Sequence, residues 1–404
     1  MKSDDHVDAL IVGAGPAGSA AAISLARAGY EVLMVDRSAF PRDKVCGDAL
    51  IPDALQALER LGLKPRVLGS SRVVDRVRVY APDGGFVEVS GACACLPRVI
   101  FDDILRAEAV EAGARFLPGL DIRSAVVDGD TVIGANLLTR DGTALRVTAD
   151  VTLLATGASA EALKRLGVCQ RVGPSATAAR VYVRTDEAFA RALNYLCISY
   201  DAAICPGYGW IFPGPDGIFN VGVGYYYDGR TPPPEKNVRT LLQRFLRTFP
   251  PAADVMRYAL DVTALRGAPL RTALSGAALS RPGLLVLGEA AGLTYSFSGE
   301  GIGKALESGI IASEVVRDCR HPRDQRPKAI ADVYADRIRG TFAARFRAYK
   351  FAQDRLSNPG FANLLASRAR KSRFVQRELS GLFQERADPR RLFSAAGILR
   401  SFVS

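Results

Sequence analysis

Histidine is nearly missing from this chain: among 404 residues only His6 and His321 occur. One lies near the N-terminus and the other in a polar loop, and neither segment suggests a cleft. Histidine-based triads, histidine metal sites and histidine general bases are therefore set aside. Chemistry must come from a bound cofactor or from Cys, Tyr, Asp, Glu, Lys and Arg. Apolar runs long enough to cross a bilayer are also absent, and Met1–Asp8 is acidic and polar. Neither a transmembrane helix nor a signal peptide is expected. The seven cysteines are odd in number and scattered, with no paired zinc spacing. They point to reduced thiols, a cytoplasmic setting and no metal site. Cys93 and Cys95 are too close along a strand for an unstrained bridge and read as two buried or half-buried thiols. Internal repeats and low-complexity segments are missing as well.

What remains is ordinary for a soluble globular protein: 48% apolar residues and 24% charged ones, in a chain long enough for one large core or several small ones. The net charge of +11 is uneven. Residues 341–404 carry 13 basic and 4 acidic side chains, against 40 and 38 in the rest. Phe342, Phe346, Phe351, Phe361, Phe374 and Phe383 are interleaved with those charges. Two readings follow: a helical cap with aromatics turned inward, or a peripheral contact with an anionic membrane or a charged partner. Nucleic acid is not expected, because no binding motif accompanies the charge.

The most informative segment is the first. An apolar run, Val7–Val12, is followed by Gly13-Ala14-Gly15-Pro16-Ala17-Gly18, an alanine-rich stretch to Gly29, then Glu31–Val35 and Asp36. Strand, tight turn, helix, strand and acid form the plan of a dinucleotide site. Gly13 lets the chain turn, Gly15 leaves room for a pyrophosphate, and Gly18 lets helix and strand touch. Free N–H groups at the helix start face the phosphates, and Asp36 can accept both ribose hydroxyls. Ala17 and Arg37, beside these, complete the first group of candidate cofactor contacts.

Farther along come a short helix at Asp53–Leu61 and a hairpin from Arg76–Tyr80 and Phe86–Val89. A helix at Val99–Ala112 and three extended segments ending in Val151–Ala155 follow. Strand-rich sequence runs from Val181 to about Leu265. A late strand, Leu284–Leu287, precedes the turn Gly288–Gly292 and a helix from about Gly301 to Arg317. The rest is helical and basic, broken at Pro359-Gly360. The expected fold is α/β: a Rossmann-like FAD-binding domain (1–75, 96–170 and 278–325) interrupted by an antiparallel β-rich substrate domain (76–95 and 171–277). A helical C-terminal region (326–404) completes it.

Four further segments make a resemblance specific. They are Phe40-Pro-Arg-Asp-Lys44-Val-Cys46-Gly47, Arg98-x-x-Phe101-Asp102, Tyr208-Gly-Trp210-Ile-Phe212-Pro213, and Gly288-Glu-Ala-Ala-Gly292 with Ser298-Gly-Glu300-Gly301-Ile-Gly303. Together they resemble the geranylgeranyl reductase family of FAD-dependent oxidoreductases, within the para-hydroxybenzoate hydroxylase-like group. The resemblance implies that Gly13, Gly15, Gly18 and Asp36 hold the ADP half of FAD. It places Arg98, Cys46 and Gly47 beside the flavin. Gly157, Gly288, Glu289, Gly299, Gly301 and Ile302 meet the ribityl and pyrophosphate groups. Tyr208, Trp210 and Phe212 line the substrate cavity.

The implied reaction saturates carbon–carbon double bonds of an isoprenoid or other lipophilic substrate, with Cys46, Tyr208 or an ordered water as the acid. Two alternatives share the scaffold: a flavin monooxygenase or halogenase, and a flavin electron carrier at a membrane. Halogenases of this scaffold carry Trp-x-Trp-x-Ile-Pro where Tyr208 and Phe212 stand. Glu289 replaces an expected aspartate, and Thr156 and Ala160 depart from a segment tied to FAD and NAD(P)H. The electron donor, NAD(P)H or ferredoxin, is left open by that departure. Plainer readings stand beside these. Trp210 fits a core, Cys46 an inert thiol, Lys44 a loop charge, and Glu300 is read as a helix-start carboxylate before a catalytic acid.

Overall fold

The computed structural model describes residues 4–227, 237–296, 298–319, 321–322 and 324–403. Its first sheet has eight strands. They run in the order Ser280–Arg281, Leu284–Val286, Ala144–Leu154, Asp4–Val12, Val32–Asp36 and Arg115–Pro118, and an antiparallel hairpin, Leu120–Asp128 with Thr131–Thr139, joins Ala144–Leu154. From Leu284–Val286 to Arg115–Pro118 every pairing is parallel. Parallel strands need helical crossovers and are covered on both faces, so Val32–Asp36 is buried at every position. Register then fixes where a ligand can sit. Val12 lies opposite both Val35 and Leu154, and Leu154 opposite Val286. Gly13, Asp36, Ala155 and Leu287 therefore leave the sheet side by side, at the carboxyl ends of the strands, where open α/β sheets bind ligands.

Helix Pro16–Arg27 starts on a proline, which lacks the N–H that would be unpaired there anyway. Its small residues let helix Ile302–Asp318 lie close: a Cβ on Gly309 would stand 2.3 Å from the Ala17 carbonyl oxygen. The late strand and helix thus complete the unit that the opening segment begins.

The second sheet has nine strands. Its order is Ala259–Val262, Ala176–Thr185, Ile218–Tyr226, Gly207–Pro213, Leu196–Ser199, Arg72–Tyr80, Phe86–Cys95 and Ala49–Leu50, with Arg266–Leu270 also on Ala176–Thr185. Pairing is antiparallel except between Leu196–Ser199 and Arg72–Tyr80. Ala49–Leu50 matters most for position, because it stitches the Phe40–Gly47 loop to this sheet through Cys95 and Ala94.

Several expectations need correction. Among the described residues the strand-rich stretch from Val181 to Leu265 contains three α-helices, Glu187–Ala192, Val238–Thr248 and Pro250–Arg257. Leu241, Leu242 and Phe245 fall on one helical face and are buried there, and the Asn237 side chain accepts the Arg239 N–H as a cap. Four strands, not three, lie between Arg115 and Leu154. The hairpin begins at Arg72 and continues to Cys95, with both Cys93 and Cys95 buried in its second strand. Helices Lys64–Gly69 and Ala160–Arg165 add to those expected.

The C-terminal region opens with a 31-residue helix, Arg326–Leu356, and continues in Pro359–Ala369, Arg373–Phe383, Pro389–Phe393 and Ala395–Val403. Phe342, Phe346 and Phe374 are buried there, while Phe351, Phe361 and Phe383 are half-buried against the core. Inward aromatics are what a helical cap requires. Among the described residues no helix is long and apolar enough to cross a membrane.

Candidate cofactor and substrate site

One cavity of about 780 Å³ opens between the two sheets, running from the glycine turn to the aromatic strand. At its first end the backbone does the shaping. Gly13 has φ +108°, and a Cβ there would stand 2.4 Å from the Ala155 carbonyl oxygen. Gly18 packs even more tightly, its added Cβ falling 1.8 Å from the Gly13 carbonyl oxygen. Gly15 is the opposite case, since a side chain would meet only Arg42 Nη2, at 3.5 Å, and would otherwise fill the cavity. That empty cradle at a helix N-terminus fits a pyrophosphate. Asp36 accepts the Ala14 N–H through one oxygen and the Ser38 N–H through the other, both at 2.9 Å. Each carboxylate oxygen keeps a second lone pair for a ribose hydroxyl. The Thr156 hydroxyl, which also lines the cavity, is buried with no partner, and a bound polar group would satisfy it. These residues fit the ADP half of FAD.

Most of the expected cofactor residues line this space: Gly13, Gly15, Ala17, Asp36, Arg37, Cys46, Gly47, Arg98, Gly157, Glu289, Gly299, Gly301 and Ile302. Gly18 and Gly288 do not. They are packing glycines, and a Cβ on Gly288 would press on that of Ala17 at 3.0 Å.

The Arg42–Asp48 loop crosses the middle of the cavity and is held along its length. Arg42 reaches Asp102 at 3.0 Å. Asp43 takes the buried Arg180 guanidinium at 2.5 Å, and Lys44 donates to Glu289 at 2.9 Å. Lys44 is thus more than a loop charge. The Cys46 carbonyl accepts from Asn220 Nδ2 at 2.7 Å, while the Cys46 sulfur accepts the Asp48 N–H at 3.4 Å and contacts Arg98. Arg98 itself is buried in a two-pronged pair with Asp102, at 2.6 and 2.7 Å, and that carboxylate keeps it charged.

Sequence reasoning missed Asp48 and its partners. Its Oδ2 accepts from Tyr182 Oη at 2.6 Å and from Asn220 Nδ2 at 2.7 Å, whereas Oδ1 is buried without a partner. Burial pushes this carboxyl up to about 6, against the lowering effect of those two donors. Asn220 Oδ1 in turn accepts from Trp210 Nε1 at 2.9 Å, so one amide ties the aromatic strand to the loop. Asp48 directly follows Gly47, and that adjacency was its one signal.

At the far end Tyr208, Trp210 and Phe212 alternate along one strand and present the same face. Ring centroids are 5.9 Å apart for the first pair and 6.3 Å for the second. All three are buried and line the cavity, with Tyr226, Leu196, Ile198 and Phe383. Trp210 is therefore both core and wall. The Tyr208 hydroxyl donates to the Ser298 carbonyl, and burial pushes it well above the ordinary phenol range. With its proton so engaged, Tyr208 suits positioning better than acid catalysis.

Glu300 lines this end too. The helix-start reading is corrected, because the helix begins at Ile302 with Gly301 as its cap and has no acid in its first turn. Behind Glu300 lies a buried charge cluster that sequence reasoning also missed. The fully buried Lys304 ammonium reaches Asp53 at 2.6 Å, touches Glu385 and stands 3.7 Å from Glu300. Arg345 pairs with Glu385 at 3.0 Å. Lysine on the buried side of Ile302–Asp318 was the available signal, since an unpaired charge does not survive there.

Comparisons with known proteins agree with this geometry. Residues 6–209 match the model of an FAD binding domain. A menaquinone reductase of Mycobacterium tuberculosis is 35% identical over 359 residues, covering 85% of this chain and 84% of its own. A digeranylgeranylglycerophospholipid reductase of Methanopyrus kandleri is 29% identical over 84% of each chain. Among solved structures, a geranylgeranyl bacteriochlorophyll reductase-like protein of Thermoplasma acidophilum superposes with a TM-score of 0.77 at 21% identity, covering 99% of this chain and 96% of its own. A flavin-dependent brominase gives 0.71 at 19%, covering 98% of both, which is a likeness of fold. A glycine cradle shaped for pyrophosphate, an FAD-binding match over half the chain and reductase relatives along most of it lead to one assignment: this chain belongs to the geranylgeranyl reductase family of FAD-dependent oxidoreductases.

Proposed function

We propose that this protein saturates carbon–carbon double bonds in an isoprenoid chain, such as the side chain of a prenylated quinone or lipid. The observation that carries this reading is the continuity of the cavity. Its cofactor end leads without a break to an apolar wall of Tyr208, Trp210, Phe212, Leu196, Ile198 and Phe383. Such a wall takes an apolar chain and excludes water from it. The names of the reductase relatives support the same substrate class.

FAD, when bound, supplies the hydride chemistry that no side chain here can supply. The protein's own residues do the rest. The glycine turn and Asp36 hold the ADP half. Arg98, pinned by Asp102, holds its guanidinium against Cys46, and a flavin ring held there would find negative charge on reduction favoured. The aromatic strand orients the substrate, and that placement supplies much of the rate, because isolated alkenes accept hydride poorly.

The test is anaerobic. Photoreduced, FAD-loaded protein is mixed with menaquinone or a geranylgeranyl lipid, and the product is weighed by mass spectrometry. Addition of one hydrogen pair is expected. Incorporation of labelled oxygen in air, with no prenyl compound ever hydrogenated, overturns the reading in favour of a monooxygenase. Supplying NAD(P)H and reduced ferredoxin in parallel identifies the donor.

The reading extends to a membrane surface, where such substrates reside. Leu399 and Phe402 on the last helix are 69% and 56% exposed, and Arg368 lies over the Phe402 ring at 4.2 Å. Apolar tips among arginines suit an anionic bilayer. Sedimentation with anionic vesicles is expected, and its absence removes this extension.

A further inference from the structure

A reduction of this kind needs a proton as well as a hydride, and of the donors expected from the sequence Tyr208 is poorly placed to give one. The Tyr208 proton is engaged by the Ser298 carbonyl. Asp48, at about 6, is largely ionised near neutral pH. We propose, on the reading above, that Glu300 is the proton donor: its neutral carboxyl protonates one alkene carbon as hydride from the reduced cofactor reaches the other.

The geometry supplies the neutral carboxyl. Two cations, Lys304 and Arg345, face three carboxylates, Asp53, Glu385 and Glu300, while Glu307 on the same helix also feels both cations and Arg60. The short contacts go to Asp53 and Glu385, so those two balance both positive charges. Glu300 is left with the long contact, at 3.7 Å, and no cation of its own. The Ser298 hydroxyl also faces it and favours the ionised form. The phenols of Tyr200, Tyr208, Tyr226, Tyr295 and Tyr349 face it as well, all pushed up by burial and all neutral. Ionising Glu300 would put a third negative charge into this apolar corner. Burial accordingly pushes its carboxyl up to about 8, with Asp53 and Glu385 adding to the rise and Lys304 opposing it.

The turn also carries Glu300 to the cavity rather than into the cluster. Gly299, at φ +67°, has no room for a side chain: a Cβ would stand 2.6 Å from the Tyr208 hydroxyl and 3.0 Å from that of Tyr226. The turn is thus pressed against the phenols that wall the substrate space, and Glu300, 24% exposed at its side chain, opens onto that space. The balance is complete. Hydride forms one C–H bond and the alkene π pair takes the Glu300 proton to form the second. The cofactor is oxidised by two electrons. The Glu300 carboxylate then recovers a proton from solvent.

The experiment uses the full-length, FAD-loaded protein. Isotope-edited infrared titration, with wild type compared with Glu300→Gln and Asp48→Asn, reads the carboxyl stretch directly. At neutral pH a protonated carboxyl is expected that Glu300→Gln removes and Asp48→Asn retains. Glu300→Gln keeps the size of the carboxyl and should bind FAD and photoreduce normally, while kcat for a prenyl substrate falls by about 100-fold with little change in KM. An ionised Glu300 at neutral pH, or kcat within a factor of about two of wild type, overturns the proposal. Should the variant not fold, the wild-type titration alone decides. Should wild type reduce no prenyl compound, the substrate reading fails, while the infrared titration still judges Glu300 separately.

Discussion

The glycine end of the cavity is shaped mainly by backbone, most of it between Gly13 and Asp36, whereas the aromatic end is made of side chains gathered from across the chain. Between Gly13 and Asp36 the contacts that matter are carbonyls, N–H groups and missing Cβ atoms. At the other end, Asp48 meets Asn220 across 172 residues of sequence and Lys304 meets Asp53 across 251. The first kind of site tolerates almost no change in shape and depends little on charge. The second depends on which carboxylates are ionised. Cofactor binding and proton handling are therefore separable by mutation, and the following outcomes test that separation.

The largest effect belongs to the glycine turn. Gly18→Val drives a side chain into the Gly13 carbonyl, 1.8 Å from the added Cβ, so little soluble protein is expected. Gly15→Val places its side chain in the cavity without a backbone clash, and its extended φ of −79° suits valine. That variant should fold with a melting temperature near that of FAD-free wild type and be colourless even with excess FAD. A yellow Gly15→Val protein would break the assignment of this end.

Next comes the charge cluster. Lys304→Met leaves Asp53 and Glu385 buried beside each other, with only Arg345 to serve Glu385. Breaking a buried pair from one side costs about 3–5 kcal/mol. Chemical denaturation should show that loss, and FAD affinity after refolding should be near normal, because the glycine end is untouched. An unchanged midpoint would mean that the cluster is not formed.

A smaller and pH-dependent effect isolates Asp48. Its carboxyl lies at about 6 in the folded protein against 3.8 for the ordinary group. Between those values the folded state holds more protons than the unfolded state, so Asp48 makes stability fall as pH rises. The loss is about 3 kcal/mol, complete above the folded value. Asp48→Asn keeps an oxygen for Tyr182 and Asn220 to donate to, so its stability should be flatter through this window. Parallel profiles for the two proteins would show that Asp48 is not desolvated. Glu300 acts over a wider window in the same sense, its carboxyl at about 8 against 4.5, so Glu300→Gln should flatten the profile beyond pH 6 as well.

How much of this could be read from the chain follows the same division. Gly13, Gly15 and Asp36 declare themselves because a dinucleotide turn needs small residues at fixed, short spacing. Tyr208, Trp210 and Phe212 were visible as an alternating strand, and the late strand and helix as a return to the first sheet. Asp48, Asn220 and Tyr182 were not, because no local pattern says that polar residues from one loop and two strands will meet in one buried bond network. Glu300 illustrates the limit best. Beside a helix start its sequence context favours a dipole-stabilised carboxylate. Only folding reveals that Lys304 is already held by Asp53 and Glu385. The helices at Val238–Arg257 were hidden for another reason: their aromatic, apolar residues suit a strand until the helical spacing is weighed.

The smallest effect concerns the last helix of the basic tail, which sharpens the comparison because its outward residues line neither end. The tail's inward aromatics, Phe342 among them, are buried and bear on the fold. Leu399 and Phe402 face outward, and the double change Leu399→Ser, Phe402→Ser should shift stability by no more than about 0.5 kcal/mol. Turnover of a substrate dispersed in detergent should be unaffected, since neither residue lines the cavity. Turnover of the same substrate in anionic vesicles should fall, and the fall should shrink as salt weakens the arginine contribution to wild-type binding. Equal loss in detergent and in vesicles would show that the last helix supports the cavity rather than the approach to it.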